Sequence, residues 1–175
     1  MFRLILATAL LFSSQLAMAL SYTVQIPEKD LQKMLSAMMP IEKNNYLVTV
    51  IFSNPVVDLL DGSNKIGVAS RIKVIAMGGV QGSGSAKISG TLKYNASKGE
   101  FFFKNPKIDH LEIHQVPNQF IPEIKNIAQQ VVSNVLATQP IFKLNDNDVK
   151  QKLAKSALQS VSVKNEILFV VLNVF

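Results

Sequence analysis

IGVASRIKVIAMGGVQGSGSAKISGTLKY, residues 66–94, is the stretch on which the fold turns. Ile66–Met77 and Ser85–Tyr94 read as the two arms of a long β-hairpin, joined through Gly78, Gly79, Gly82 and Gly84. The second arm alternates: Ala86, Ile88, Leu92 and Tyr94 share one face, while Lys87, Ser89, Thr91 and Lys93 share the other. A period of two with one apolar face is the mark of a half-buried antiparallel strand. The four glycines do not make a phosphate loop. Lys87 stands where Gly-x-Gly-x-x-Gly needs its last glycine, and no Gly-Lys-Ser/Thr follows.

More extended segments flank this hairpin. Tyr46–Phe52 is apolar on both faces, and a short Val56–Leu60 piece lies between Asn54-Pro55 and the turn residues Asp61-Gly62-Ser63-Asn64. On the other side, Lys98-Gly99 turns the chain into Phe101-Phe102-Phe103, and Ile108–His114 continues extended after Pro106. Near the end, Ile167–Leu172 is a strand with no polar face.

Three helices are predicted. Pro27, Glu28 and Asp30 open the first, because an early proline and first-turn acids suit a helix N-terminus. Leu31, Met34, Leu35 and Met38 give it an apolar stripe, and Pro40 ends it. The longest runs from about Asn118 or Pro122 to Thr138, with Phe120, Ile124, Ile127, Val131 and Val135 in one stripe widened by Ile121, Ala128, Val132 and Leu136. So wide a stripe implies contact from most sides. At about 1.5 Å per residue this helix spans roughly 25–31 Å. A third, after Asn145-x-x-Asp148, carries Val149, Leu153, Ala157 and Leu158 on one side and Lys150, Lys152 and Lys155 on the other. The order of elements gives an α+β class with an antiparallel sheet.

The compartment is written in the first 19 residues. Arg3, the apolar run Leu4–Phe12 and Ala17-Met18-Ala19 have the layout of a cleaved signal peptide, too short to span a bilayer. Residues 20–175 are then a single mature domain, exported to a periplasm. Removing the segment takes one arginine from a net charge of +6. The chain has no Cys, which excludes disulfides, thiol catalysis and a lipoprotein anchor.

Motifs for chemistry are lacking. His110, Glu112 and His114 alternate on a strand, which sets the two histidine Cα atoms about 13 Å apart, too far for easy chelation of one ion. Ser83 and Ser85 have no nucleophile elbow, and Asn145–Asp148 lacks the calcium-loop glycine and glutamate. The basic residues form small patches, Lys104 with Lys107 and Lys150 with Lys152 and Lys155, rather than the stripe that nucleic acid requires. Such patches are compatible with transient contact at a membrane surface. No enzyme, metal or cofactor is expected.

Tyr22-Thr23-Val24, then Glu28, Asp30-Leu31-Gln32 and Leu35, with Gln139-Pro140-Ile141-Phe142-Lys143-Leu144 and Val163-Lys164-x-Glu166-Ile167, resemble the opening and closing segments of the YceB-like family of Gram-negative periplasmic proteins and putative lipoproteins. The resemblance implies a TULIP-like (tubular lipid-binding) fold: a strongly curved antiparallel sheet wrapped around one long helix, with two shorter helices. It also implies a lipid or other apolar ligand held between helix and sheet. The residues expected to line that groove are Val48, Val50, Phe101, Phe103, Phe120, Ile124, Ile127, Val131, Phe169 and Val171. A protein–protein interaction or envelope-assembly module with no small ligand is the alternative. The oligomeric state is left open.

Overall fold

The computed structural model describes residues 20–153 and 156–174. The expected signal segment, residues 1–19, and Lys155 of the basic patch therefore lie outside the described residues.

The protein is mostly β. Strands β2 (Ile41–Asn44), β3 (Val48–Asp58), β4 (Ile66–Ala76), β5 (Val80–Asn95), β6 (Glu100–His114) and β7 (Pro140–Lys143) form an antiparallel sheet in sequence order. Strands β1 (Leu20–Pro27), β9 (Ile167–Val174) and β8 (Ser156–Lys164) form a second, with β9 in the middle. Helices α1 (Glu28–Met38), α2 (Ile121–Val131) and the six-residue α3 (Asn147–Lys152) complete the fold. A 3₁₀ turn, Asn118–Phe120, leads into α2 and a π turn, Val132–Leu136, follows it.

The six-stranded sheet is curled into a half-barrel. Its longest strands β5 and β6 run 16 and 15 residues, and register shifts after Lys87 and Ser89 bend the pair. Gly84 permits the closest approach. A Cβ there would stand 1.8 Å from the Glu112 carbonyl oxygen, so only glycine lets β6 pass. The glycine loop expected between the hairpin arms is thus a correction. The turn is confined to Met77-Gly78-Gly79, where both glycines take positive φ, and residues 82 and 84 belong to β5. Asn54-Pro55 likewise is no turn between separate strands. It is an irregularity within β3, where Asn54 adopts φ 51° and the buried Ser70 hydroxyl donates to Ser53 O at 2.8 Å.

Helix α1 closes the edge of β3 that β2 leaves free. β2 pairs only with Thr49–Phe52. Beyond it, Gln32 Nε2 donates to Pro55 O at 2.7 Å, and Val57 N–H donates to Gln32 Oε1 at 2.8 Å. Leu59 N–H donates to Glu28 Oε2 at 3.0 Å. One helix side chain thereby does for two β3 backbone groups what a neighbouring strand would do. This matters because an unpaired strand edge exposes donors and acceptors that must otherwise find partners.

The expectation of a sheet wrapped around one long helix does not hold. The 19-residue helical segment Asn118–Leu136 is present, but it lies against the sheet with one side open. Ile124, Ile127, Ala128, Val131, Val132 and Leu136 are buried, whereas Lys125, Asn126, Gln130, Ser133 and Asn134 are exposed. A helix enclosed by a sheet would be apolar all round. The wide stripe read from the sequence counted half-covered flank residues, Ile121 and Val135, as core.

Two more elements differ from expectation. Ser156–Lys164 is strand β8, not the end of a helix, and Val161 and Val163 face the core opposite Val170 and Leu168 while Ser160 and Ser162 face away. The spacing of Leu153, Ala157 and Leu158 imitates a helical stripe across the junction. Tyr46 and Leu47 lie outside β3 in a turn fixed by Asn45, whose Oδ1 accepts from both Leu47 and Val48 N–H. Tyr46 is fully exposed there.

Candidate functional site

The ten residues expected to line an apolar groove occupy three environments. Val48, Val50, Phe101, Phe103, Ile124, Ile127 and Val131 are buried members of one hydrophobic core. Phe120 is half-buried at its margin. Phe169 and Val171 are half-buried on the face of β9 opposite the core-facing Leu168, Val170 and Leu172. The structure brings the first seven together as packing, and none of the ten lines any cavity described here. Where helix and sheet do part, the cleft between β6 and α2 is bordered by Ile108, His110, Leu111, Lys125 and Gln129. Gln129 spans its floor, with Nε2 3.5 Å from Pro106 O and Oε1 accepting from Ile108 N–H.

A cavity of about 640 Å³ lies at the edge of β3 beside Ser36, Met39 and Pro40, and others lie on the outer face of the six-stranded sheet, the one turned from the core. Register defines this face row by row. Ile51, Lys73, Ser83 and His114 lie side by side across β3–β6, followed by Ser53, Arg71, Ser85 and Glu112. The next rows are Val56, Ala69, Lys87 and His110, then Asp58, Gly67, Ser89 and Lys107. A cavity of about 660 Å³ opens over the first two rows, lined by Arg71, Lys73, Gln81, Ser83, Ser85 and Gln115 among others. A second of about 430 Å³ covers the last row, bordered by Leu60, Lys65, Gly67, Ala69, Lys87 and Asp109. A small apolar cavity over Asn54, Val56 and Ala69 joins them, sharing Arg71 and Ser85 with one and Ala69 with the other. Together they form one trough running along the strands, wide enough for a small molecule. Serine, glycine and alanine floor it because larger side chains there would fill it.

The charges in the trough are unbalanced. Arg71, Lys73 and Lys87 make no side-chain hydrogen bond or ion pair among the described residues. Nearby acids are partly engaged: Asp109 pairs with Lys107 at 3.0 Å, and Glu112 with His114 at 3.3 Å. Hydrogen bonds from Ser89 and Lys107 hold the Asp109 carboxyl below the usual aspartate range. The trough thus presents fixed positive charge at its polar end and exposed Val56 and Leu60 farther along.

His110 and His114 stand exposed on this same face, the open strand face read from their alternation. Among the described residues no three metal-ligating side chains converge. The trough itself was not read from the sequence. Its signal was available in Ser70-Arg71-Ile72-Lys73-Val74, where a period of two puts both cations on one face, opposite Ser85 and Ser83.

No curated protein matches the chain. A family model described as a protein of unknown function (DUF1439) does match, over residues 26–166. That span begins in β1, ends beyond β8 and contains every residue of the trough; the chain belongs to the DUF1439 family.

Proposed function

We propose that this is a non-enzymatic binding protein of the periplasm that carries a lipid or lipid-like ligand on the open face of its curled sheet. The observation that carries the reading is the continuous trough over β3–β6, floored largely by small residues and roofed by nothing among the described residues. A curled half-barrel is compatible with a ligand-binding fold. The interior offers no comparable space, since the residues between helix and sheet are packed against one another. Export is supported by the signal-like pattern of residues 1–19, and a lipid-like ligand by the exposed apolar section at Val56 and Leu60. Apolar burial of about 25 cal/mol per Å² would drive such binding, with a few polar groups fixing orientation.

Native mass spectrometry of the mature protein isolated from a periplasm, followed by organic extraction, tests this. A co-purifying mass that Ser85→Trp abolishes, with an unchanged circular dichroism spectrum, supports the reading. A bound mass indifferent to Ser85→Trp places the ligand elsewhere and refutes it, as does failure of the bare protein to take up any of a panel of lipids.

A further inference from the structure

Resting on that reading, we infer that the ligand is an anionic single-chain amphiphile, its carboxylate or phosphate held by Arg71 and Lys73 and its chain lying over Ala69 and Val56 toward Leu60. The trough changes character along its length: polar and cationic over Arg71 and Lys73, apolar over Val56 and Ala69, and mixed where Leu60 lies beside charged groups. Around Arg71 and Lys73 the lining is polar: Ser53, Gln81, Ser83, Ser85 and Gln115. Two residues along β4 from Arg71, about 7 Å at the usual strand rise, the lining is Val56 and Ala69; two residues farther on, Gly67 and Leu60 stand among Asp58, Lys65, Lys87 and Asp109. Val56 and Leu60 are 58% and 64% exposed, an apolar surface that the described residues leave open.

The charge at the polar end selects the sign of the headgroup. Arg71 sits between Ser53 and Ser85, and Lys73 beside Ser83, so two cations and three hydroxyls share two adjacent rows. Neither cation is neutralised among the described residues. Glu112, the one acid in these rows, lies two strands from Arg71, on the far side of Ser85 and 3.3 Å from His114. A guanidinium and an ammonium on neighbouring rows suit an anion with several acceptor oxygens, because charge-assisted hydrogen bonds are stronger than neutral ones. A free inorganic anion would leave the apolar middle of the trough, over Val56 and Ala69, unused.

The test is binding of dodecanoate, dodecanol and inorganic phosphate to the mature protein by isothermal titration calorimetry at low salt, below the micellar concentration of the acid. Dodecanoate is expected to bind at least tenfold more tightly than either, and to weaken as salt rises. The double variant Arg71→Gln, Lys73→Gln is expected to lose about tenfold in dodecanoate affinity while leaving dodecanol unchanged. Leu60→Ser is expected to weaken both alkyl ligands and leave phosphate alone. Equal affinity for dodecanol and dodecanoate, both abolished by Ser85→Trp, would overturn the headgroup assignment while sparing the trough. Phosphate binding as tight as dodecanoate would make this an anion site. Failure of Ser85→Trp to affect any ligand would overturn the trough with it.

Discussion

Gln32→Ala is the sharpest probe of how the fold is held. The Gln32 amide lies across the free edge of β3, donating to Pro55 O at 2.7 Å and accepting from Val57 N–H at 2.8 Å. Truncation leaves both backbone groups without these partners in a partly buried position. Leaving a buried donor or acceptor unmet costs about 1–3 kcal/mol each. Water reaching the vacated edge offsets part of this, so we expect a loss of about 2–4 kcal/mol. For a domain of this size, 1 kcal/mol moves Tm by roughly 2–4 °C. Gln32→Glu separates the two bonds: a carboxylate still accepts from Val57 but meets the Pro55 oxygen with no hydrogen to give, so it should destabilise as much as alanine at neutral pH. The assay is urea unfolding followed by circular dichroism, with the midpoint falling at constant slope. A loss below about 0.5 kcal/mol for both variants, the scale of ordinary surface changes, would refute the role of α1 as a substitute strand.

Other outcomes follow from the same geometry. Gly84→Ala puts a methyl group against the Glu112 carbonyl and should cost at least about 1–3 kcal/mol by forcing β5 and β6 apart; native-like stability with unchanged amide exchange in β6 would contradict the close approach. Val131→Trp, at a site only 2% exposed, should destabilise rather than fill a ligand pocket, by a similar amount or more; an undiminished melting temperature would reveal space beneath the helix. Burial pushes the Tyr94 phenol above its ordinary 10.0, and the Ser156 hydroxyl beside it pulls partly back. A raised folded-state value means that this contribution to stability is complete below pH 10 and is lost as pH rises through the folded value. Tyr94→Phe, which removes a buried hydroxyl lacking a well-formed hydrogen bond, should therefore leave neutral stability nearly unchanged and reduce alkaline sensitivity; identical alkaline unfolding curves would contradict this.

The regular parts of this molecule are written in its sequence at the scale of single elements. The alternation of Ala86–Tyr94 places the same residues inward in β5, and the apolar spacing around Ile124 marks a helical segment whose ends lie at Asn118 and Leu136. What a local pattern cannot convey is how many sides of an element are covered. β9 reads as apolar on both faces because it is the central strand of its sheet, with Phe169 and Val171 half-buried among the flanking Gln25, Thr23, Ser160 and Ser162. The helix reads as enclosed because its stripe is wide, although Lys125, Asn126 and Gln130 leave one side to solvent. β8 is lost to a helical reading because Leu153, Ala157 and Leu158 happen to fall at helical spacing across a boundary. The trough escapes for a related reason. Its residues are mostly serines, glycines, an alanine and cations, each unremarkable in its own strand, and only the register of β3, β4 and β5 gathers them.

The measurement that bears most directly on the account is a map of amide chemical-shift changes in ¹⁵N-labelled mature protein titrated with dodecanoate. Ligand on the outer face should move the amides of Ser53, Val56, Ala69, Arg71, Lys73, Ser83 and Ser85 first and most. Shifts concentrated instead at Ile124, Ile127 and Val131 of α2 with Phe101 and Phe103 of β6 would place the ligand between helix and sheet and contradict it.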